Sequence, residues 1–227
     1  MRIAHIDYNF IYELEENDRG ILIVENAMFF RKIIDEMRRS IVDKEEIFIF
    51  SENNKIIKPW DMVDLVINPM EMEINTKKIL TRLYEKIREE INLSELLVEN
   101  NEICQNIEKY FLHIVDNIDV ELTYRDKIEV TDILKMLDVK ILEKYDDQTE
   151  KLIEYIRINH KLMNIKSFIF VGLHTFFNEY EIEKIYEFAE YNKVNIFLIE
   201  NRQPEKMSSY TQVKIIDKDG CEISFDM

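Results

Sequence analysis

Lys166 to Arg202 reads KSFIFVGLHTFFNEYEIEKIYEFAEYNKVNIFLIENR, and this stretch decides the fold. It opens on an apolar run, Phe168 to Leu173, too short for a lone helix and suited to a strand buried on both faces. A helical period follows, with Ile182, Ile185, Tyr186 and Ala189 at i, i+3, i+4 and i+7. Glu179, Glu181, Glu183 and Glu187 fall mostly outside that stripe. Asn178 is placed to cap this helix, and Glu181, three residues on, to close a capping box. Val194 to Ile199 is a second buried strand. Strand, helix and strand in so short a span predict a right-handed parallel crossover. The chain is therefore an α/β protein, a class whose ligands sit beyond the carboxyl ends of the strands.

Those ends carry little chemistry. The first strand is followed by Gly172, Leu173, His174 and Thr175, the second by Glu200, Asn201 and Arg202. One histidine near one acid is a weak signal, and the expected role of His174 is a loop residue bonded to backbone.

Outward from this unit, Arg2 to Leu14 reads as one or two strands, and Gly20 to Glu25 as a buried strand running straight into a helix over Ala27 to Arg39. Ile47 to Phe50 and Asp64 to Ile67 are further strands. From about Met72 the texture turns helical. Ile74 to Ile91 carries Leu80, Leu83, Tyr84 and Ile87 at helical spacing, with Lys77, Lys78, Arg82, Lys86 and Arg88 on its other faces. Ser94 can cap a second helix running to Val115. Its apolar surface includes Leu96, Leu97, Ile103, Cys104, Ile107, Tyr110, Phe111 and Ile114, broad enough to predict burial from more than one direction. An acidic connector, Asp116 to Glu129, contains the alternation Val120, Leu122, Tyr124, which predicts a short strand. A short helix from Thr131, a short strand over Val139 to Leu142 and a helix over Asp147 to Met163 lead back to the crossover. Val213 to Ile216 and Cys221 to Phe225, joined by a turn ending at Gly220, form a hairpin. The reading gives a head over 1–70 and 145–227 with an inserted helical leg, including the acidic connector, over 71–144.

The 227 residues carry 30 basic and 46 acidic side chains, a net charge of −16. Nucleic-acid binders are usually basic, so DNA binding is compatible only with cations gathered on one surface away from the acids. Three glycines and three prolines mean long elements and short loops. Two cysteines without nearby partners give neither a disulfide framework nor a zinc site. The amino terminus lacks the apolar core of a signal peptide, and no apolar run is long enough to span a membrane. A cytoplasmic protein without membrane attachment is expected.

The exclusions are sharp. The glycines are Gly20, Gly172 and Gly220, so no GxGxxG or Walker loop exists. The strand-to-helix junction where a nucleotide hydrolase keeps its phosphate loop reads Val24-Glu-Asn-Ala-Met-Phe29, with Glu25 repelling phosphate. GxSxG, HExxH and SxxK are also absent.

Three constellations remain. Asp119, Glu121, Asp126 and Glu129 offer the hard oxygen ligands calcium takes, or form a solvated acidic edge. The basic leg helix is a binding surface, or a solvated face of i,i+4 pairs with Glu85, Glu89 and Glu90. Arg31, Lys32, Arg38 and Arg39 need no role beyond the helix dipole and solubility.

In order, GILIVENAMFFRKIIDEM, DLVINPMEMEINTKKILTRLYEKIREEI, DVELTYRDKIEVTDILKMLDVKI and the opening crossover together resemble the small adaptation protein of type II-A CRISPR systems, the non-integrase partner in spacer acquisition. The resemblance covers nearly the whole chain. It implies an α/β head with a mostly parallel, degenerate nucleotide-hydrolase-like (RecA-like) core and a helical leg. It further implies a homotetrameric ring, without catalytic activity, through which double-stranded DNA is threaded from its ends without sequence preference. Calcium would be bound among Asp119, Glu121, Asp126 and Glu129, and Lys77, Lys78, Arg82, Lys127 and Lys135 would line the DNA passage. The CRISPR integrase complex and the RNA-guided effector nuclease are the implied protein partners. The alternative is an acidic protein–protein adaptor that recruits a basic partner and never touches DNA. A third reading is a nuclease using the acidic cluster with Mg²⁺, which would need those carboxylates to converge on a phosphate.

Overall fold

The computed structural model describes residues 1–7, 11–13, 15, 18–125 and 127–226. The chain divides into two compact units, Met1–Glu73 with Lys144–Met227, and Ile74–Glu143.

The first unit is built on a six-stranded sheet. Its strands are β3 (Gly20–Val24), β6 (Val63–Val66), β7 (Ser167–Val171), β8 (Asn195–Glu200), β9 (Gln212–Ile216) and β10 (Glu222–Asp226). Their order is β10-β9-β3-β8-β7-β6, parallel from β9 to β6, with β10 antiparallel at the edge. The expected crossover is present: β7 and β8 are parallel neighbours, Phe168 opposite Ile196, joined by α7 (Glu179–Tyr191). Asn178 caps α7 by accepting from Tyr180 N and Glu181 N, and Glu181 returns the bond to Asn178 N at 2.8 Å.

Every residue of β3 and β7 is buried, because both faces of the sheet are covered. Phe168, Phe170, Ile196, Leu198, Ile21 and Ile23 pack against α7 and α6 (Gln148–Met163). The alternate residues, Ile169, Val171, Phe197, Ile199, Leu22 and Val24, face α1 (Ala27–Ile41) through Ile33, Met37 and Ile41. Each such side chain contributes roughly 1.5–3 kcal/mol by leaving water. That second face also takes a small antiparallel sheet of β1 (Arg2–His5), β2 (Ile11–Glu13), β4 (Phe48–Glu52) and β5 (Lys55–Ile56), in the order β2-β1-β4-β5. Its Ile3, Tyr12, Phe48 and Phe50 join the same core. A single turn, α2 (Pro59–Met62), leads into β6. Arg19, just before β3, grips α7 with a two-pronged ion pair to Glu183 at 2.7 and 2.8 Å and a third bond to Glu190 at 2.9 Å. The guanidinium beside it holds the Glu183 carboxyl below its ordinary range.

The second unit is helical, with α3 (Lys77–Asn92), α4 (Leu96–Val115) and α5 (Val130–Met136). α3 starts at Lys77, three residues after the expected Ile74, because Thr76 caps it by accepting from Ile79 N. Neither expected short strand forms. Residues 116–125 and 127–129 have no ladder, and the alternation of Val120, Leu122 and Tyr124 finds no partner strand among the described residues. At Val139 to Leu142 a side chain replaces the ladder: Asn75 donates to Ile141 O at 3.0 Å and accepts from Ile141 N at 2.9 Å. Tyr84 donates to Val139 O at 2.7 Å in the same way. The apolar surface of α4 is not buried within this chain. Cys104 is its one buried residue, whereas Leu96, Val98, Ile103, Tyr110, Phe111, Leu112 and Ile114 are exposed.

Candidate functional site

The carboxyl end of the parallel sheet begins with the junction of β3 and α1. Helix starts hold anions through free backbone N–H groups. Here those groups are engaged: Asn26 accepts from Met28 N at 2.9 Å and Phe29 N at 3.2 Å. The Asn26 amide in turn donates to Lys218 O at 2.9 Å, in the turn between β9 and β10. Gly220 of that turn sits at φ +84°, and a Cβ there would lie 3.1 Å from Phe29 Cε2. The position of the phosphate loop thus lacks glycines, its Met28 and Phe29 amides are taken, and the C-terminal hairpin is packed onto it.

Two strands along, His174 and Glu200 meet after β7 and at the end of β8. Glu200 is fully buried, and its Oε1 accepts from His174 Nδ1 at 3.0 Å and from His174 N at 3.1 Å. The other ring nitrogen, Nε2, lies 2.9 Å from the hydroxyl of buried Tyr210. With Nδ1–H directed at the carboxylate, Nε2 is the acceptor and Tyr210 the donor. The expected backbone-bonding role of His174 is therefore corrected: its ring links a buried acid to a buried phenol. Orienting acid, imidazole and hydroxyl in series is the layout of an activated nucleophile. Burial pushes the Tyr210 phenol far up, helped by the nearby Glu179 and Glu200 carboxylates, so the buried hydroxyl holds its proton. The Glu200–His174 proximity was visible in the sequence; Tyr210, on a different loop, carried no local signal.

Among the described residues of the helical unit, Asp119, Glu121 and Glu129 of the acids expected to bind calcium are not drawn into one cluster. Asp119 and Glu121 are exposed and make no ion pair among the described residues. Glu129 pairs with Arg88 at 3.2 Å, and Asp126 lies outside the described residues. Among the described residues, no three His, Cys, Asp or Glu side chains are placed to share a metal. The neighbouring Asp132 pairs with Arg125 and accepts from Glu129 N at 3.0 Å. The basic residues are spread over two elements and a connector. Lys77 and Lys78 are exposed at the start of α3. Arg82, one turn on, pairs with Glu85 at 3.0 Å. Lys127 is exposed in the connector, and Lys135 on α5 lies 3.8 Å from Asp132.

Fold and junction together define the class: an α/β protein with the nucleotide-hydrolase sheet and no phosphate loop. In agreement, cbiO1 from Clostridium perfringens, part of the ABC transporter complex cbiONQ, superposes with a TM-score of 0.52 at 10% identity, over 99% of this chain and 87% of that one. That likeness is one of fold alone. Residues 41–220 match the family model of the CRISPR-associated protein (Cas_Csn2), and the chain belongs to that family. It is 24% identical over 173 residues to the CRISPR-associated protein Csn2 of Enterococcus faecalis, covering 74% of this chain and 76% of that protein. No helix among the described residues is long and apolar enough to cross a membrane.

Proposed function

We propose that this protein is a non-catalytic clamp that assembles as a homotetrameric ring and takes double-stranded DNA by its ends during CRISPR spacer acquisition. The observation that carries the reading is the apolar face of α4. Leu96 is 55% exposed and Tyr110 67%, and with exposed Ile103 and Ile114 they fall on one side of the helix, at i, i+7, i+14 and i+18. An exposed apolar stripe of this kind is costly in water and marks an association surface. A second copy supplies the matching face, since closed symmetric assemblies reuse one patch.

The absence of catalysis is supported by the engaged amides at the β3–α1 junction and by the buried hydroxyl of Tyr210. Calcium is part of the proposal. Asp119 and Glu121 offer carboxylate oxygens free of competing cations among the described residues, which is the donor chemistry calcium prefers. Asp126 and Glu129 would complete the set, Glu129 by exchanging Arg88 for the ion. Bound there, calcium would neutralise a crowded acidic connector. Lys77, Lys78, Arg82, Lys127 and Lys135 are the proposed phosphate contacts. Lys77 and Lys78 come first, being exposed, whereas Arg82 and Lys135 already face Glu85 and Asp132. The integrase complex and the RNA-guided nuclease are the proposed partners in the same process.

A gel shift on linear and covalently closed duplex of the same sequence, with and without calcium, tests the reading. Linear duplex is expected to bind and closed circles to bind far less. Equal binding of the two removes the threaded ring, and no binding of either leaves only a protein adaptor. Cleavage products would show a nuclease.

A further inference from the structure

A cavity of about 400 Å³ opens between the turn that follows β7 and the crossover that follows β8. Its size is that of a small-ligand site, and it lies at the carboxyl end of the central strands, where α/β proteins bind ligands. Its lining is mixed in a specific way. Phe177 and Pro204 are buried and apolar. Glu179 and Glu205 contribute carboxylates, and Arg202 a guanidinium. Arg202 pairs with neither acid among the described residues, although all three line the same space. Asn178 uses its carbonyl oxygen on Tyr180 N and Glu181 N, which leaves its amide N–H groups to donate. His174, also in the lining, is locked between Glu200 and Tyr210 and gives one wall a fixed position.

We propose that this cavity binds a single nucleotide unit. The flat base rests on Phe177 and Pro204, its amino and imino N–H groups donate to Glu179 or Glu205, and its phosphate is held by Arg202. A guanidinium matches phosphate oxygens in paired bonds, and a carboxylate, which only accepts, matches a base edge that donates. A guanidinium and two carboxylates lining one space without pairing suit a ligand that carries both an anion and N–H donors. Bare phosphate meets two carboxylates with nothing to offer them, so it is not a ligand. The nucleotide can come from two sources, a free deoxynucleoside monophosphate or an unpaired terminal nucleotide of duplex DNA. The second source rests on the DNA-end reading above; the first does not.

The test uses the full-length protein. Titrations with each of dGMP, dAMP, dCMP and dTMP, and with inorganic phosphate as a control, are followed by the NMR shifts of residues 174–179 and 202–205. At least one monophosphate is expected to saturate in the millimolar range or below, phosphate alone to cause no saturable shift, and Arg202→Ala to weaken binding by about tenfold or more. A companion measurement compares blunt duplex with duplex bearing a one-nucleotide overhang. An overhang preference that Arg202→Ala abolishes, with no binding of free monophosphates, assigns the site to strand ends. Absence of both effects, or nucleotide binding that Arg202→Ala and Glu179→Gln leave unchanged, overturns the proposal. Failure of the unmodified protein to bind blunt duplex would instead count against the clamp, and is read separately.

Discussion

The side-chain amide of Asn26 donates to the Lys218 carbonyl at 2.9 Å, while its oxygen caps α1 through Met28 N and Phe29 N. One residue thus satisfies the helix start and fastens the C-terminal hairpin across it. The start of the helix that follows the first central strand is thereby an internal joint.

Gly220 is the steric part of that joint. Alanine there meets Phe29 Cε2 at 3.1 Å and must hold φ at +84°. Left-handed backbone costs a non-glycine residue roughly 1–2 kcal/mol. Gly220→Ala is expected to lower the melting temperature by about 2–8 °C, read by differential scanning fluorimetry. An unchanged melting temperature would show that the turn is free of Phe29 in solution.

His174 and Glu200 form a buried polar pair of the head. Replacing the imidazole by a methyl group leaves the fully buried Glu200 carboxylate with only the His174 N–H bond. Losing a hydrogen bond to a buried carboxylate costs about 1.5–3 kcal/mol. Equilibrium urea unfolding of His174→Ala should show that loss, while the double change His174→Ala with Glu200→Ala should recover part of it. A loss under about 1 kcal/mol would mean the pair is solvated.

ATP is not expected to turn over. No lysine-bearing glycine loop orients its phosphates, and the amides at the start of α1 are engaged. Phosphate release assayed across the purification should not follow the protein peak. Activity that does follow it, and that His174→Ala or Glu200→Gln eliminates, would overturn the non-catalytic reading.

Calcium should raise stability by mass action, by about 2.7 kcal/mol at a hundredfold excess over its dissociation constant. Glu121→Ala and Asp126→Ala are expected to reduce that gain and to weaken the oligomer in calcium, with little effect in chelator. Thermal melts and sedimentation in both buffers measure this. Identical melts of the unmodified protein in calcium and chelator would end the calcium proposal.

Duplex binding by an acidic protein must come from a few concentrated cations, so it should be steep in salt. Each phosphate neutralised contributes a slope of about −0.9 in log K against log salt. Several units of slope are expected, with little dependence on base sequence. Changing Lys77, Lys78 and Arg82 together to Glu should lower affinity about equally for all sequences and leave the oligomer intact. Unaltered binding would show that other residues meet the phosphates.

The crossover was legible because its signals are local. Two apolar runs flank a helical stripe, and Asn178 and Glu181 cap at the expected spacing. The alternation at Val120, Leu122 and Tyr124 is equally local, yet it made no strand, since a pattern of side chains cannot supply the neighbouring backbone a strand needs. The breadth of the α4 stripe was also plain, but its exposure was not, since periodicity shows that a face is apolar and not whether another element of the chain covers it. The contacts of the sheet end escaped for a different reason. Tyr210 with His174, and Asn26 with Lys218, join residues far apart in the chain through single hydrogen bonds that leave no periodicity.

β3 lies between β8 and β9, with Gly20 paired to both Phe197 and Gln212. An early strand must therefore wait for two of the last ones. On the ribosome the helical unit, Ile74–Glu143, is complete long before the sheet can close. Local helical contacts form fast and distant parallel pairings form slowly. Gly20 to Val24 is thus expected to lack both sheet neighbours until Asn195 to Ile216 have been made, so a chain truncated before β9 should aggregate, read as loss of soluble product.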